Sequence, residues 1–205
     1  MKSTRLFLIA TSLFLSIVCS SCEFFTIPVD YNNKGGDNTY KIFANDFYPL
    51  QIGNVWEYHS VFNDIITKDY TSTVAEYKNI KGNQYAVVVT KGTQTVESEI
   101  TRFSDTAFIR TAPAGKVYSF DGINDNIVVD FQAATVSDTT VRFVQPATDV
   151  PAKRNDQSNY YIGNIRVEHY GKGVGFVSGH MSGEAPFWSY TNLKRAVING
   201  IEYKP

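Results

Sequence analysis

From Tyr48 onward, apolar and polar positions alternate with a period of two, and the three-to-four spacing of an amphipathic helix does not recur. Val55-Trp-Glu-Tyr-His-Ser-Val61 places Trp56 and Tyr58 on one face and Glu57 and His59 on the other. Gln84-Tyr-Ala-Val-Val-Val-Thr90 is a dense β-branched run, expected to be a strand buried on both faces. It follows the turn signal Lys81-Gly82-Asn83, and another strand is expected before that turn at 71–80. Further strands are expected at 97–103, 107–111, 116–120, 126–131, 139–144, 164–170, 173–179 and 186–193, with a last hairpin over 196–203 turning at Asn199-Gly200. Residues 145–158 carry Pro146 and Pro151 with mixed charge, and read as an exposed loop with room for one helical turn.

About ten strands at hairpin spacing favour antiparallel neighbours over βαβ crossovers. So many strands in one sheet must curl or split into two layers. The expected fold class is therefore all-β: a strongly curved antiparallel meander, forming an open or closed barrel that is lipocalin-like in outline. A two-sheet β-sandwich is the alternative. Pro49 fixes φ ahead of the first strand, and Gly53 before Asn54 supplies a tight turn. Trp56 and Tyr58 are expected to be large core anchors. Gly171, Gly173 and Gly175 suggest a bulge or close backbone approach where the sheet bends.

The start of the chain follows a different pattern. Lys2 and Arg5 precede an apolar run at 6–18, whose 13 residues fall short of the roughly 20 needed to cross a bilayer but suit the core of an export signal. Ser20-Ser21-Cys22 follows and resembles a bacterial lipoprotein signal, in which the cysteine thiol is acylated and becomes the new N-terminus. The pattern departs from the usual one in having Cys19 where leucine is common. On this reading residues 1–21 are a signal peptide, Cys22 is the lipidation site, 22–45 is a flexible tether and 46–205 is a single β domain. Asp30-Tyr-Asn-Asn-Lys-Gly-Gly-Asp-Asn38 is too polar to bury surface, and about twenty extended residues reach at most ~70 Å. Glu23 is the one acidic residue directly after Cys22, so the leaflet that the domain faces stays open.

Composition narrows the function classes. The 205-residue chain has a formal net charge of -1, and taking Lys2 and Arg5 from its 19 basic residues leaves 17 against 20 acidic ones. No basic stripe suggests nucleic-acid binding. Both cysteines lie in the leader region, so a mature chain acylated at Cys22 has no disulfide, thiolate metal site or cysteine nucleophile to draw on. The 14 Phe, 13 Tyr and 2 Trp must then fill the core of a disulfide-free domain, with some left to line a concavity.

Three segments carry a family resemblance. Phe47-Tyr-Pro-Leu-Gln-Ile-Gly-Asn-Val-Trp-Glu-Tyr58, the pair Gly115-Lys-Val-Tyr-Ser-Phe120 and Ile127-Val-Val-Asp-Phe131, and Tyr170-Gly-Lys-Gly-Val-Gly-Phe-Val177 occur in this order. Together they resemble envelope lipoproteins of unknown function of the Bacteroidetes type. The resemblance implies a secreted β domain in the bacterial cell envelope, lipid-anchored at the outer membrane. It brings no established catalytic residues and no cofactor.

Local spacing completes none of the common catalytic signatures. Gly171-Lys-Gly-Val-Gly175 lacks the spacing and the following helix of a phosphate loop and reads as a bent strand. His59, His169 and His180 sit on separate expected strands, and Glu168 and His169 point to opposite faces, so no zinc motif forms from local spacing. Gly175-Phe-Val-Ser-Gly179 puts its serine one place too late for a nucleophile elbow. Asp46, Glu57, Asp130 and Glu168 are the carboxylates available to a glycosidase. Asp105-Thr106-Ala107 and Asp138-Thr139-Thr140 resemble the O-glycosylation acceptor of the Bacteroidetes. The expected function is a non-enzymatic binding or scaffold domain, held to the membrane by N-terminal acyl chains and taking an apolar, glycan or protein ligand. Trp56, Tyr58, Tyr118, Trp188 and Tyr190 are its candidate ligand-binding residues. The competing expectation is an envelope hydrolase acting on polysaccharide or peptide.

Overall fold

The computed structural model describes residues 45–157, 165–183 and 187–205, all within the unit Asn38–Pro205. The leader, Cys22 and the tether up to residue 44 lie outside the described residues. Twelve strands are described: β1 Val55–Phe62, β2 Ile66–Ile80, β3 Asn83–Val96, β4 Glu99–Thr111, β5 Lys116–Phe120, β6 Asp125–Asp130, β7 Val136–Phe143, β8 Thr148–Asp156, β9 Ile165–Gly171, β10 Gly175–Ser182, β11 Trp188–Ile198 and β12 Ile201–Tyr203. A 3-10 turn, Pro113–Gly115, joins β4 to β5.

All pairings are antiparallel, and all but one are between strands adjacent in sequence. The exception is β1 with β11, which pairs Val55 with Val197 and Phe62 with Ser189. The sheet order is β6-β5-β4-β3-β2-β1-β11-β10-β9-β8-β7, with β12 added beside β11. Its two edge strands, β6 and β7, are consecutive in sequence and joined only by residues 131–135. Laid flat, an eleven-strand path at ~4.8 Å per strand would separate those edges by roughly 48 Å. A connection of that length reaches only about 20 Å. The sheet must therefore curl on itself, and the result is an open barrel with one unpaired seam between β6 and β7. This is the expected curved antiparallel meander, and the sheet is not closed.

The strand patterning explains the curl. Inward positions carry the core: Trp56, Tyr58, Val74, Ala86, Ile109, Val117, Val129, Tyr170, Leu193 and Ala196 belong to one buried cluster. As expected, consecutive residues of β3 are buried, with Tyr85, Ala86 and Val87 between 0% and 6% exposed. Tyr85 and Val87 nevertheless stand apart from the main cluster, on the opposite face. There Tyr85 packs on Phe120 at 5.6 Å and donates its hydroxyl to Asp125 at 2.7 Å.

Residues 145–158 correct the sequence reading. They contain β8, paired with β7 on one side and β9 on the other, and not an exposed loop with a helical turn. Pro151 is tolerated because β9 pairing begins only at Ala152, so its missing N–H faces the end of that ladder, where its carbonyl accepts from Lys172 N–H at 2.7 Å.

One end of the barrel is plugged by the segment ahead of β1. Phe47 packs on Phe131 at 5.5 Å, Tyr48 on Tyr170 at 6.2 Å, and Leu50 is buried. Gly173 N–H and Lys172 Nζ both hold Asp46, at its carbonyl and its carboxylate. Gly175 has φ +95°, and a Cβ there would lie 3.3 Å from both Pro49 Cδ and Trp56 Nε1. This is the close backbone approach anticipated for the glycine-rich turn, which connects two antiparallel strands and leads into no helix.

Candidate functional site

Above the plug, the interior is filled by a file of aromatic rings. Phe47, Phe131, Tyr170, Phe176, Tyr58, Tyr70 and Phe103 touch in sequence, with centroid separations from 5.1 to 6.3 Å. Such tilted and edge-on contacts contribute ~0.5–1.5 kcal/mol each beyond their burial. Trp56 and Tyr58, two of the five candidate ligand residues, belong to this core. Trp56 donates to Val174 carbonyl at 2.6 Å and Tyr58 to Phe176 carbonyl at 3.0 Å, so both polar handles are used internally.

The file ends at Phe103, where the barrel opens. Here a cleft of ≈ 370 Å³ lies against the inner faces of β1, β2, β3, β4 and β11. Ser60, Phe62, Ile66, Lys68, Tyr70, Thr90, Phe103, Ser189 and Thr191 line it, with Val61 and Tyr190 at its margin. Register fixes this set: Ser60 stands opposite both Thr191 and Lys68, and Gly92 stands opposite both Tyr70 and Phe103. The Ser60 and Thr191 hydroxyls are 2.7 Å apart, and Ser60 Oγ lies 3.4 Å from the Tyr70 hydroxyl. Lys68 Nζ is 5.6 Å from the Phe103 ring centroid.

The other candidate residues lie elsewhere. Trp188 and Tyr190 stack at 5.8 Å with their planes 19° apart, and Tyr190 alone of the five reaches the cleft. Tyr118 is on the far side of the sheet, with the Arg110 guanidinium 4.3 Å above its ring. Arg110 in turn holds Asp125 through two nitrogens, at 2.9 and 2.5 Å. Sequence reasoning missed Ser60, Lys68, Thr90, Phe103 and Thr191. Their inward position near a strand end is a matter of register, which composition does not reveal.

The available carboxylates are each paired with a cation: Asp46 with Lys172, Glu57 with Arg195, which it shares with Glu202, Asp130 with Lys116 and Glu168 with Arg166. Glu168 is 8% exposed and also accepts from Tyr170 hydroxyl at 3.1 Å and Asn155 Nδ2 at 3.3 Å. Burial, reinforced by Glu168, pushes the Tyr48 hydroxyl up to about 12 and the Tyr170 hydroxyl well above its ordinary value.

Histidine pairings are split between two residues. His59 Nδ1 is 3.1 Å from Asp69 on the outer face, and His169 Nδ1 is 3.2 Å from Ser178 Oγ. The nucleophile and the carboxylate of a triad thus attend different histidines, on β1 and β9. Burial and the Arg154 charge lower the pKa of His169, which disfavours the imidazolium that a general base must form. Among the described residues no three His, Cys, Asp or Glu side chains converge as a metal site. No helix among them is long and apolar enough to cross a membrane. Thr106 is exposed on β4, with its N–H bonded to Asp105 Oδ1 at 2.7 Å.

No family model matches the chain, and no curated protein matches it. A solved structure from Bacteroides fragilis, described as an exported protein with a YmcC-like fold, aligns at 13% identity and a TM-score of 0.46, covering 75% of this chain and 99% of that one. One from Parabacteroides distasonis, described as a lipoprotein, aligns at 14% identity and a TM-score of 0.40, with the same coverage of 75% and 99%.

Proposed function

We propose that this chain is a non-enzymatic binding protein of the bacterial cell envelope, acylated at Cys22 and held by its acyl chains to the outer membrane, with the open end of its barrel as the binding site. The observation that carries the binding role is the asymmetry of the barrel: the 45–50 segment plugs one end, while the other holds a cleft of ≈ 370 Å³ lined by named side chains. Pockets of ~300–1,000 Å³ are the size that small ligands use. The leader and Ser20-Ser21-Cys22 support the anchor.

Two measurements test the two halves. Radiolabelled palmitate should enter the wild-type chain and not Cys22→Ala, and undiminished labelling in the mutant refutes the anchor. Glycan and lipid panels, screened by NMR against the full chain in detergent micelles, should give a saturable ligand that perturbs Thr90, Phe103 and Thr191. Saturable binding confined to the outer face refutes the cleft. A hydrolase reading rests on the Ser178–His169 contact alone, and esterase or peptidase turnover abolished by Ser178→Ala would favour it.

A further inference from the structure

Resting on the reading of the cleft as a binding site, its lining specifies the chemistry of the occupant. The walls are paired strands, so their backbone N–H and C=O groups are largely spent on the ladders and recognition falls to side chains. Five of the inward side chains are hydroxyls: Ser60, Tyr70, Thr90, Ser189 and Thr191. A hydroxyl both donates and accepts, which is what the hydroxyls of a pyranose require of their partners. A phosphate would instead call for a convergence of N–H donors or guanidinium forks.

One charge enters the cleft, the Lys68 ammonium. Among the lining residues there is no carboxylate, and among the described residues no ion pair engages Lys68. The inward acids nearest in register are Glu99, opposite Val96, and Asp105, opposite Thr90; both are exposed and lie outside the lining set, and Asp105 accepts from Thr106 N–H. The phenyl ring of Phe103, between Lys68 and Tyr70, adds an apolar platform of the kind that stacks on the C–H face of a sugar.

We propose that the cleft binds a carboxylated sugar unit, of the uronic acid type, with its carboxylate on Lys68, its ring on Phe103 and its hydroxyls on Ser60, Thr90 and Thr191. A cavity of ≈ 370 Å³ holds one or two such rings.

The test uses the full chain in detergent micelles, with trigalacturonate as probe and its methyl ester as the uncharged counterpart carrying the same ring hydroxyls. Trigalacturonate is expected to bind saturably and perturb Phe103 and Thr191, with the ester at least about tenfold weaker, as loss of a charge-assisted contact implies. Lys68→Met should reduce the acid to the level of the ester, Lys68→Arg should stay close to wild type, and added salt should weaken the acid selectively. An unchanged urea midpoint shows that Lys68→Met remains folded. Monomeric galacturonate binding as tightly as the trimer identifies a free acid as the ligand, and a trimer preference identifies a polysaccharide chain. Equal binding of acid and ester, or full binding by Lys68→Met, overturns the assignment while leaving the cleft as a site. Absence of saturable binding of either probe at Phe103 and Thr191 overturns the assignment, while the cleft itself falls only if the glycan and lipid panels bind elsewhere.

Discussion

The indole N–H of Trp56 donates to the carbonyl oxygen of Val174 at 2.6 Å, across 118 positions of sequence. This contact ties the first strand to the glycine-rich turn between β9 and β10, and the turn is in turn tied to the plug through Gly173 N–H and Asp46 carbonyl. Trp56→Phe keeps most of the ring but leaves a buried carbonyl without its donor. The expected loss is about 1–3 kcal/mol, read as a lower urea midpoint with an unchanged m value. A midpoint equal to wild type would show that the bond contributes nothing net.

Gly92 faces Tyr70 and Phe103 across its two neighbouring strands. A Cβ there would overlap the carbonyl oxygen of Asp69 and lie 2.6 Å from the Tyr70 Cβ, both parts of rigid backbone or its first side-chain atom. Gly92→Ala should therefore cost about 1–3 kcal/mol through forced displacement of β2. Gly82→Ala, with nothing within 4 Å of its Cβ, should cost only the ~1 kcal/mol associated with its positive φ. Equal midpoints for the two variants would contradict the steric account.

Glu168 accepts from Tyr170 hydroxyl, Asn155 Nδ2 and two of the Arg166 nitrogens, Nε and Nη2. Glu168→Ala leaves the buried Tyr170 hydroxyl and Asn155 amide without their acceptor, while half-exposed Arg166 can turn to solvent, an expected loss of about 1–3 kcal/mol. Glu168→Gln preserves the shape and two acceptor lone pairs and should cost clearly less. Thermal unfolding of the two variants decides this, and the prediction fails if alanine is the milder change.

Alkaline pH should dismantle the core in a defined window. Tyr48 ionises at an ordinary value of 10.0 when unfolded but at about 12 in the fold, because burial and then Glu168 disfavour its phenolate. Tyr58 is raised chiefly by burial, as is Tyr170. Between those two values the folded chain holds protons that the unfolded chain releases, so stability is complete below pH 10 and falls as pH climbs toward 12. Phenolate absorbance should rise together with loss of tertiary circular dichroism. Tyr48→Phe should move that midpoint upward, and ionisation of all tyrosines near 10 in an intact fold would argue against the shift.

The sequence was readable wherever one face of a strand is apolar and the other is not. Trp56 and Tyr58 alternate with Glu57 and His59, and the structure buries the first pair as that pattern requires. The hairpin at Asn199-Gly200 turns with φ of 52° and 80°, as its two residues favour. The reading weakens over 66–70 and 91–96, which extend β2 and β3 beyond the expected strands. There the inward positions are Ile66, Lys68, Tyr70, Gly92, Gln94 and Val96 and the outward ones include Thr67, Asp69, Thr93 and Thr95, so a cation, a glycine and an amide interrupt the apolar face and the period-two signal is weak. The cleft lies on this stretch, and the feature that makes it a candidate site is what hid it from the hydrophobic pattern. Residues 145–158 failed for another reason: prolines signal a loop, and only the position of the β9 ladder shows that Pro151 costs nothing.

Pairing of β1 with β11 has a consequence for how such a protein is made. Val55 pairs with Val197, so β1 gains its second neighbour only when almost the entire polypeptide has been made. Contacts this distant in sequence slow assembly. The six strands from β1 to β6 and the six from β7 to β12 can each zip up from local hairpins, and this one pairing is what makes a single sheet of the two.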